Sequence, residues 1–378
     1  MTILSFMNHT IFDNGATSKL AKTLQQCNIE RPLLCTDAGL VKIGLVEKIE
    51  GLLRESTQLT IFDGTPENPT QIAVEDAAKM YQEMDCDGII SLGGGSSMDL
   101  GKAVALAVSH KGELSEYTAG LKGAKRIEKV APVIAIPTTS GTGSEISTGA
   151  VIIMKTGEKL ILASRELIPV IAICDPLLTL PLPARLTAAT GMDAMTHCIE
   201  GLLSNQINPP AEAVACDGIQ RGIRDGHLSQ AVKDGKDEVA RWNMMMASLE
   251  GAMAFSKGLG AVHSMSHACG ADQSLRLHHG TLNAVILPTI LDFNRDHVGD
   301  KYERLNIALG NKPNSNPSEF IRELNSKLGL PANLTEMGVK SDSIPELATH
   351  AVKDICTFTT PRTCRLEDYI QLFETAMN

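Results

Sequence analysis

The stretch Gly260-Ala261-Val262-His263-Ser264-Met265-Ser266-His267, followed by Leu277-His278-His279-Gly280, holds four of the chain's ten histidines. Upstream, Gly191-Met192-Asp193-Ala194-Met195-Thr196-His197 sets a carboxylate and an imidazole four residues apart. Residues i and i+4 share a helix face, so Asp193 with His197, and His263 with His267, can each point at one spot. A carboxylate with two or three imidazoles is a donor set for a divalent metal such as Zn²⁺ or Fe²⁺. A single pair of this kind is ordinarily a surface ion pair or a helix cap. Two pairs and His279, all within apolar, small-residue helices, are different, because ionisable groups are rarely buried without a partner or a metal. His278 and His279 are adjacent and cannot share a helix face, so one of the two is expected as a ligand. The pattern predicts a catalytic metal centre.

A second set of residues suits phosphate and ribose. Gly93-Gly94-Gly95-Ser96 lies between an apolar run and a helical pattern, where glycines allow close backbone approach and a helix N-terminus offers free N–H groups. It is neither G-x-G-x-x-G nor a P-loop, and many glycine turns are only tight turns, yet strand before and helix after favour pyrophosphate. Pro137-Thr138-Thr139-Ser140-Gly141-Thr142-Gly143-Ser144-Glu145 supplies hydroxyls after another strand; read blandly it is a hydroxyl-stabilised turn or a helix cap at Ser144. Asp37 at a strand tip suits a ribose 2′-OH, which favours NAD over NADP, although such an Asp is often only a turn residue.

The elements that must position these groups change character along the chain. The first half alternates strands (31–37, 59–63, 88–92, 133–137) with helices (41–55, about 71–82, 99–108), the pattern of a parallel α/β sheet. Ligands in such sheets sit beyond the carboxyl ends of the strands, and Asp37, Asn68, the triple glycine and Thr138-Thr139 all fall there. From about Ala184 the pattern turns helical: 185–204, 211–222, 239–255 and 281–294. The expected organisation is an α/β dinucleotide-binding domain with a Rossmann-like parallel sheet over residues 1–183, then an all-helical metal and substrate domain over 184–378.

Composition narrows the partners. The 378 residues carry a net charge of -10 with no basic cluster, which argues against nucleic acid and anionic membrane. Nine cysteines without C-x-x-C spacing suit reduced thiols in a cytoplasm and exclude a zinc ribbon. Met1 to His9 lacks the basic start and long apolar core of a signal peptide. The most apolar later stretch, 167–183, is interrupted by Pro169, Asp175, Pro176 and Pro181 and is no membrane span.

Gly93 to Lys102, Pro137 to Glu145, Asp175-Pro176, Gly191 to His197, Gly258 to His263, His267, His279-Gly280 and Thr360-Pro361-Arg362 together resemble, in order and over almost the whole chain, the iron-containing (group III) alcohol dehydrogenases of dehydroquinate synthase-like fold. The resemblance implies metal ligands at Asp193, His197, His263 and His279, and His267 as a proton-relay or orienting residue beside the substrate. It places Asp37, Asn68, Gly94, Gly95, Ser96, Asp99, Thr138, Thr139, Thr142, Ser147 and Lys159 around the cofactor, NAD, with Fe²⁺ or Zn²⁺ as the ion. It implies a cytoplasmic homodimer or larger homo-oligomer. Gly101 stands where alanine is common and is expected only to loosen its helix. Lys257 lies near a frequent Asn-Ala, His278 replaces a frequent proline, and Thr359-Thr360 replace an Asn before Pro-Arg.

Together these features lead to an NAD(H)-dependent, divalent-metal-dependent alcohol dehydrogenase or aldehyde reductase. Its substrate would be a small alcohol, diol or hydroxy acid, with hydride passing to or from a metal-bound oxygen. The competing expectation is a dehydroquinate-synthase-like lyase that uses NAD transiently. Such an enzyme needs several cations around a phosphorylated substrate, and only Lys257 and Arg276 stand near the histidines in sequence.

Overall fold

The computed structural model describes residues 8–119, 123–271, 275 and 277–378. Arg276 falls outside them. The described chain divides into two compact units. One holds the sheet, up to Thr139 and again from Gly143 to Thr179; the other runs from Leu180 to Asn378 and takes in Ser140–Thr142.

The sheet unit contains strands β1 (His9–Phe12), β2 (Pro32–Cys35), β3 (Thr60–Phe62), β4 (Gly88–Gly93), β5 (Val133–Pro137), β6 (Gly149–Ile153), β7 (Lys159–Ala163) and β8 (Ile171–Cys174). Its helices are α1 (Leu20–Gln26), α2 (Ala38–Lys42), α3 (Leu45–Glu50), α4 (Gln71–Glu83) and α5 (Gly95–Ser109). Six strands pair in parallel in the order β1-β8-β5-β4-β2-β3. The central strands read as unbroken apolar runs because both faces are covered. Ile90, Leu92, Ile134 and Ile136 pack with Leu20, Leu24, Val46 and Ile49, whereas Ile89 and Val133 face Ala77, Ala103, Val104 and Leu106.

Register fixes the functional edge. Gly93 pairs with Pro137 and Cys35 with Ser91, so β2, β4 and β5 end at one level and deliver Asp37, the glycine turn and Thr138 to the same rim. Two local expectations need correcting. The helix expected over 41–55 is two short ones, because Gly44 takes a left-handed φ of 76° between them. The helix expected from Asp99 already starts at Gly95, so the glycines form its first turn. The strand–helix alternation also gave no sign of the antiparallel ribbon β6–β7.

The second unit is built on α6 (Ala184–Leu203), buried on every side from Thr187 to Leu203. Around it come α7 (Pro209–Ile219), α8 (His227–Lys233), α9 (Glu238–Phe255), α10 (Ala261–Gly270), α11 (His279–Asn294), α12 (Lys301–Leu309), α13 (Pro317–Lys327), α14 (Ile344–Ala351) and α15 (Leu366–Ala376). Its core is continuous, from Met192 and Met195 on α6 through Met265 on α10 and Leu282 on α11 to Phe373 on α15. Among the described residues no helix is long and apolar enough to cross a membrane.

Candidate active site

Asp193 and His197 lie on adjacent turns of α6, and both are buried. His263 and His267 occupy α10 at the same spacing, and His279 is the first residue of α11, with His278 just ahead of it. The Nε2 atoms of His197, His263 and His279 stand 3.8, 3.9 and 3.7 Å from Asp193 Oδ1. Bonds of about 2.1 Å to a tetrahedral ion set ligand atoms roughly 3.4 Å apart, close to this spacing.

The far side of each ring is occupied as well. His197 Nδ1 lies 3.2 Å from Gly141 O, His263 Nδ1 2.6 Å from Glu200 Oε2, and His279 Nδ1 2.9 Å from Ser266 Oγ. A ring whose Nδ1–H donates away from the centre keeps its Nε2 lone pair facing inward. The lone pairs of His197 and His263 and the Asp193 oxygen then meet in a buried space, with the part-exposed His279 at its edge, and acceptors crowded this way suit a cation. The donor set, one hard oxygen with three imidazoles, suits Fe²⁺ or Zn²⁺. Asn283, one turn after His279, donates its amide Nδ2 to Asp193 Oδ1 at 2.7 Å and lies 3.2 Å from Nε2 of both His263 and His279.

Electrostatics follow from burial. Desolvation brings His197 down to about 4, so it is a neutral donor at working pH. Burial also pushes His263 down, but the hydrogen bond and charge of Glu200, with the charge of Asp193, outweigh it and the net shift is upward. His267 is tied elsewhere. Its ring stacks on His279 at 5.4 Å between centroids while Nδ1 bonds Asp354 Oδ2 at 2.9 Å. Asp354 is held at about 2: burial opposes ionisation, but the charge and hydrogen bond of His267 and the Cys356 N–H prevail.

In the sheet unit the expected cofactor residues separate into two groups. Gly94 caps α5 and Gly95 opens it; Gly93 adopts a φ of 148°, and a Cβ there would sit 2.5 Å from Ser97 Oγ. Thr138 N donates to Gly93 O at 2.9 Å, and Thr139 lies beside Gly94. Ser96 Oγ donates to Glu67 O, which ties the loop carrying Asn68 to the glycine turn, and Asn68 Oδ1 accepts from Lys159 Nζ at 3.1 Å. Asp37 Oδ1 caps α2 through Leu40 N at 3.1 Å, the turn role weighed above. Thr142 lies in the short segment that belongs to the helical unit.

Asp99 and Ser147 behave differently, because protein takes up their polar atoms. Asp99 accepts from Ser144 Oγ at 2.6 Å and from Val151 N at 2.9 Å. The buried ammonium of Lys102 reaches Ser144 Oγ, Ser147 Oγ, Ser147 O and Gly149 O at 2.8–3.1 Å, and burial lowers it to about 8 against the charges of Asp99 and Glu145. This clamp fastens α5 to the 144–151 segment. Gly101 also proves more than a loosened helix position: a Cβ there would collide with Ser91 Oγ on β4.

Glu200, Asn283, Lys102 and Asp354 were not singled out from sequence. Glu200 lies three residues past His197 and seven past Asp193, and Asn283 four past His279, so extending the helical periodicity would have found both. Asp354 is 87 residues from His267 and carries no such signal.

Residues 8–176 match the model of the iron-containing alcohol dehydrogenase family, and residues 187–377 match the family's C-terminal model. The chain belongs to the iron-containing alcohol dehydrogenases. It is an oxidoreductase of that family. It is similar to a 4-hydroxybutyrate dehydrogenase of Cupriavidus necator, with 45% identity and all of both chains covered. It is 33% identical to an NAD-dependent methanol dehydrogenase of Bacillus methanolicus over 97% of this chain and 98% of that one. Among solved structures, a 1,3-propanediol oxidoreductase superposes with a TM-score of 0.94 at 33% identity, covering all of both chains. That solved structure shares this chain's fold over its whole length.

Proposed function

We propose that this dehydrogenase is NAD(H)-linked and divalent-metal-dependent, and interconverts a small alcohol, diol or hydroxy acid with its aldehyde. The observation that carries the reading is the convergence of Asp193 Oδ1 with three imidazole Nε2 atoms whose opposite nitrogens are already engaged. Asp193, His197, His263 and His279 would hold iron, or zinc. The ion supplies Lewis acidity toward the substrate oxygen. His267, kept in one orientation by Asp354, accepts the alcohol proton through Nε2 and returns it in the reverse direction.

On the sheet side, the N–H groups of Gly95 and Ser96 would meet the NAD pyrophosphate, with Gly94 allowing close approach. Asp37, Asn68, Asp99, Thr138, Thr139, Thr142, Ser147 and Lys159 would contact the rest of the cofactor, with Asp99 and Ser147 held in place by the Lys102 clamp. The 45% identity to a 4-hydroxybutyrate dehydrogenase favours a short ω-hydroxy acid among the candidate substrates. Residence in the cytoplasm and assembly as a homodimer or larger homo-oligomer complete the proposal.

The lyase alternative loses a cation. Lys257 Nζ is bound by Glu212 at 2.8 Å and by Leu202 O at 3.0 Å, with its side chain fully buried. A panel of short alcohols, diols and ω-hydroxy acids, run with NAD⁺ and NADP⁺ after loading with Fe²⁺ or Zn²⁺, tests the reading. Net formation of NADH, greatest with an ω-hydroxy acid, is expected. Turnover without net NADH would overturn it.

A further inference from the structure

The three imidazoles of the metal centre have unequal support. His197 and His279 rest on neutral oxygens, Gly141 O at 3.2 Å and Ser266 Oγ at 2.9 Å. His263 rests on a carboxylate, Glu200 Oε2, at 2.6 Å, the shortest of the three. The Glu200 side chain is 5% exposed, and its second oxygen accepts from Val262 N at 2.9 Å. Residue 260 is a glycine beside that oxygen, and a Cβ would come within 2.7 Å of it. Three features of the chain therefore meet at one buried carboxylate: a helix register on α6, a backbone N–H at the start of α10, and a missing side chain.

We propose that Glu200 is a positioning residue for the ion, acting through His263, and that its charge is what the site needs. A carboxylate bonded to Nδ1 raises the donor strength of the opposite nitrogen, so His263 becomes the strongest imidazole of the set. With Asp193, Glu200 also brings two negative charges into an interior that must hold a doubly charged cation, and a neutral total costs far less to bury than an unbalanced one. Neither neutral partner of the other two rings can do this. The inference rests on the reading of Asp193, His197, His263 and His279 as ligands.

The test is release of the ion from purified, loaded protein into excess EDTA, followed by metal analysis and needing no turnover. Glu200→Gln keeps the shape and an acceptor for Val262 N but removes the charge. It is expected to release Fe²⁺ or Zn²⁺ about 10–100-fold faster than the wild type, the usual effect of removing a partner behind a ligand. Ser266→Ala, which removes the neutral partner of His279, is expected to change release far less. Equal release from Glu200→Gln and the wild type, or from Glu200→Gln and Ser266→Ala, overturns the proposal. Should Glu200→Gln fail to fold, Glu200→Asp retains the charge but withdraws it by one methylene. It is expected to release faster than the wild type, and a wild-type rate overturns the proposal equally. A wild-type protein that retains no ion after loading and desalting would instead overturn the ligand assignment itself.

Discussion

The helical unit and the sheet unit solve opposite problems with the same kinds of residue. Around Asp193, polar side chains are aimed at a common point, and each of its three rings is braced from behind, so the second nitrogen faces inward. Along the sheet rim, much of the polar side-chain chemistry is spent inside the protein. Asp99, Ser144, Ser147 and Lys102 bond one another, and beside them the first turn of α5 and the β5 terminus present backbone. A small cation needs a few side-chain atoms at fixed distances. A long anionic cofactor needs a rigid rim of N–H groups. The two regions differ as the proposed ligands differ.

If the regions are separate in this sense, breaking one should spare the other. Asp193→Ala removes the oxygen that all three imidazoles face. It is expected to abolish ion retention and to lower kcat/KM by at least about 10³-fold, the scale of lost Lewis-acid assistance. NADH affinity, read by fluorescence titration, is expected to stay within about threefold of wild type. A parallel collapse of cofactor binding would show that the two regions cannot be treated apart.

His267→Ala sharpens the same contrast within the helical unit. Its Nδ1 is committed to Asp354. With Nδ1 held by Asp354 rather than turned to Asp193, the variant is expected to keep its ion yet lose about 10²-fold in kcat. That is the low end for a general acid–base group, because His267 is 22% exposed and water can partly replace it. Loss of the ion on metal analysis would make His267 a ligand instead.

How much of this was legible depended on which contacts were local. Asp193, His197, His263 and His267 were readable because a helix turns sequence spacing into direction, and the strand-to-helix glycines were readable because few residues tolerate that turn. Gly44 was missed because its helix pattern continues on both sides, and only the positive φ reveals the break. The bonds that Asp99 and Ser147 make within the protein were not legible for a different reason. Asp99 bonds Ser144 Oγ and Val151 N, and Ser147 Oγ bonds Lys102 Nζ, all across 45 residues or more, and such separations leave no periodicity in the sequence.

The sheet unit has its own test. Gly101 and Ser91 face each other across α5 and β4 with no room for a methyl group. Gly101→Ala is expected to destabilise by about 1–3 kcal/mol despite alanine's better helix propensity, with a lower Tm and weaker NADH binding as α5 shifts. Ser91→Ala, which removes the obstructing hydroxyl, is expected to restore both in the double variant. Gly101→Ala at or above wild-type stability would return that glycine to the role of a merely loosened helix position.

The last contrast lies inside the helical unit, where a second buried carboxyl shows what happens without a cluster of imidazoles. Glu250 is raised to about 8, first by burial and then by Asp217, with Arg221 opposing. Asp217 is lowered, because the protonated Glu250 donates to it and Arg221 Nε bonds it at 2.7 Å. The pair therefore balances its charge with a proton, where Asp193 would use a metal ion. A carboxyl whose folded value lies above its unfolded 4.5 makes the folded state hold the extra proton between about 4.5 and 8. Its stabilising contribution is complete below that window and is lost as the pH rises through 8. Asp217 shifts the other way, but its window lies below its ordinary 3.8 and does not overlap. Wild-type protein is thus expected to lose stability from pH 6 to 8 by on the order of 1 kcal/mol per pH unit at most, and Glu250→Gln to flatten that slope. Thermal denaturation of both proteins at pH 6 and pH 8 measures it. Parallel curves would mean that Glu250 is already ionised at pH 6, and that this helical core can bury two neighbouring carboxylates beside a single arginine.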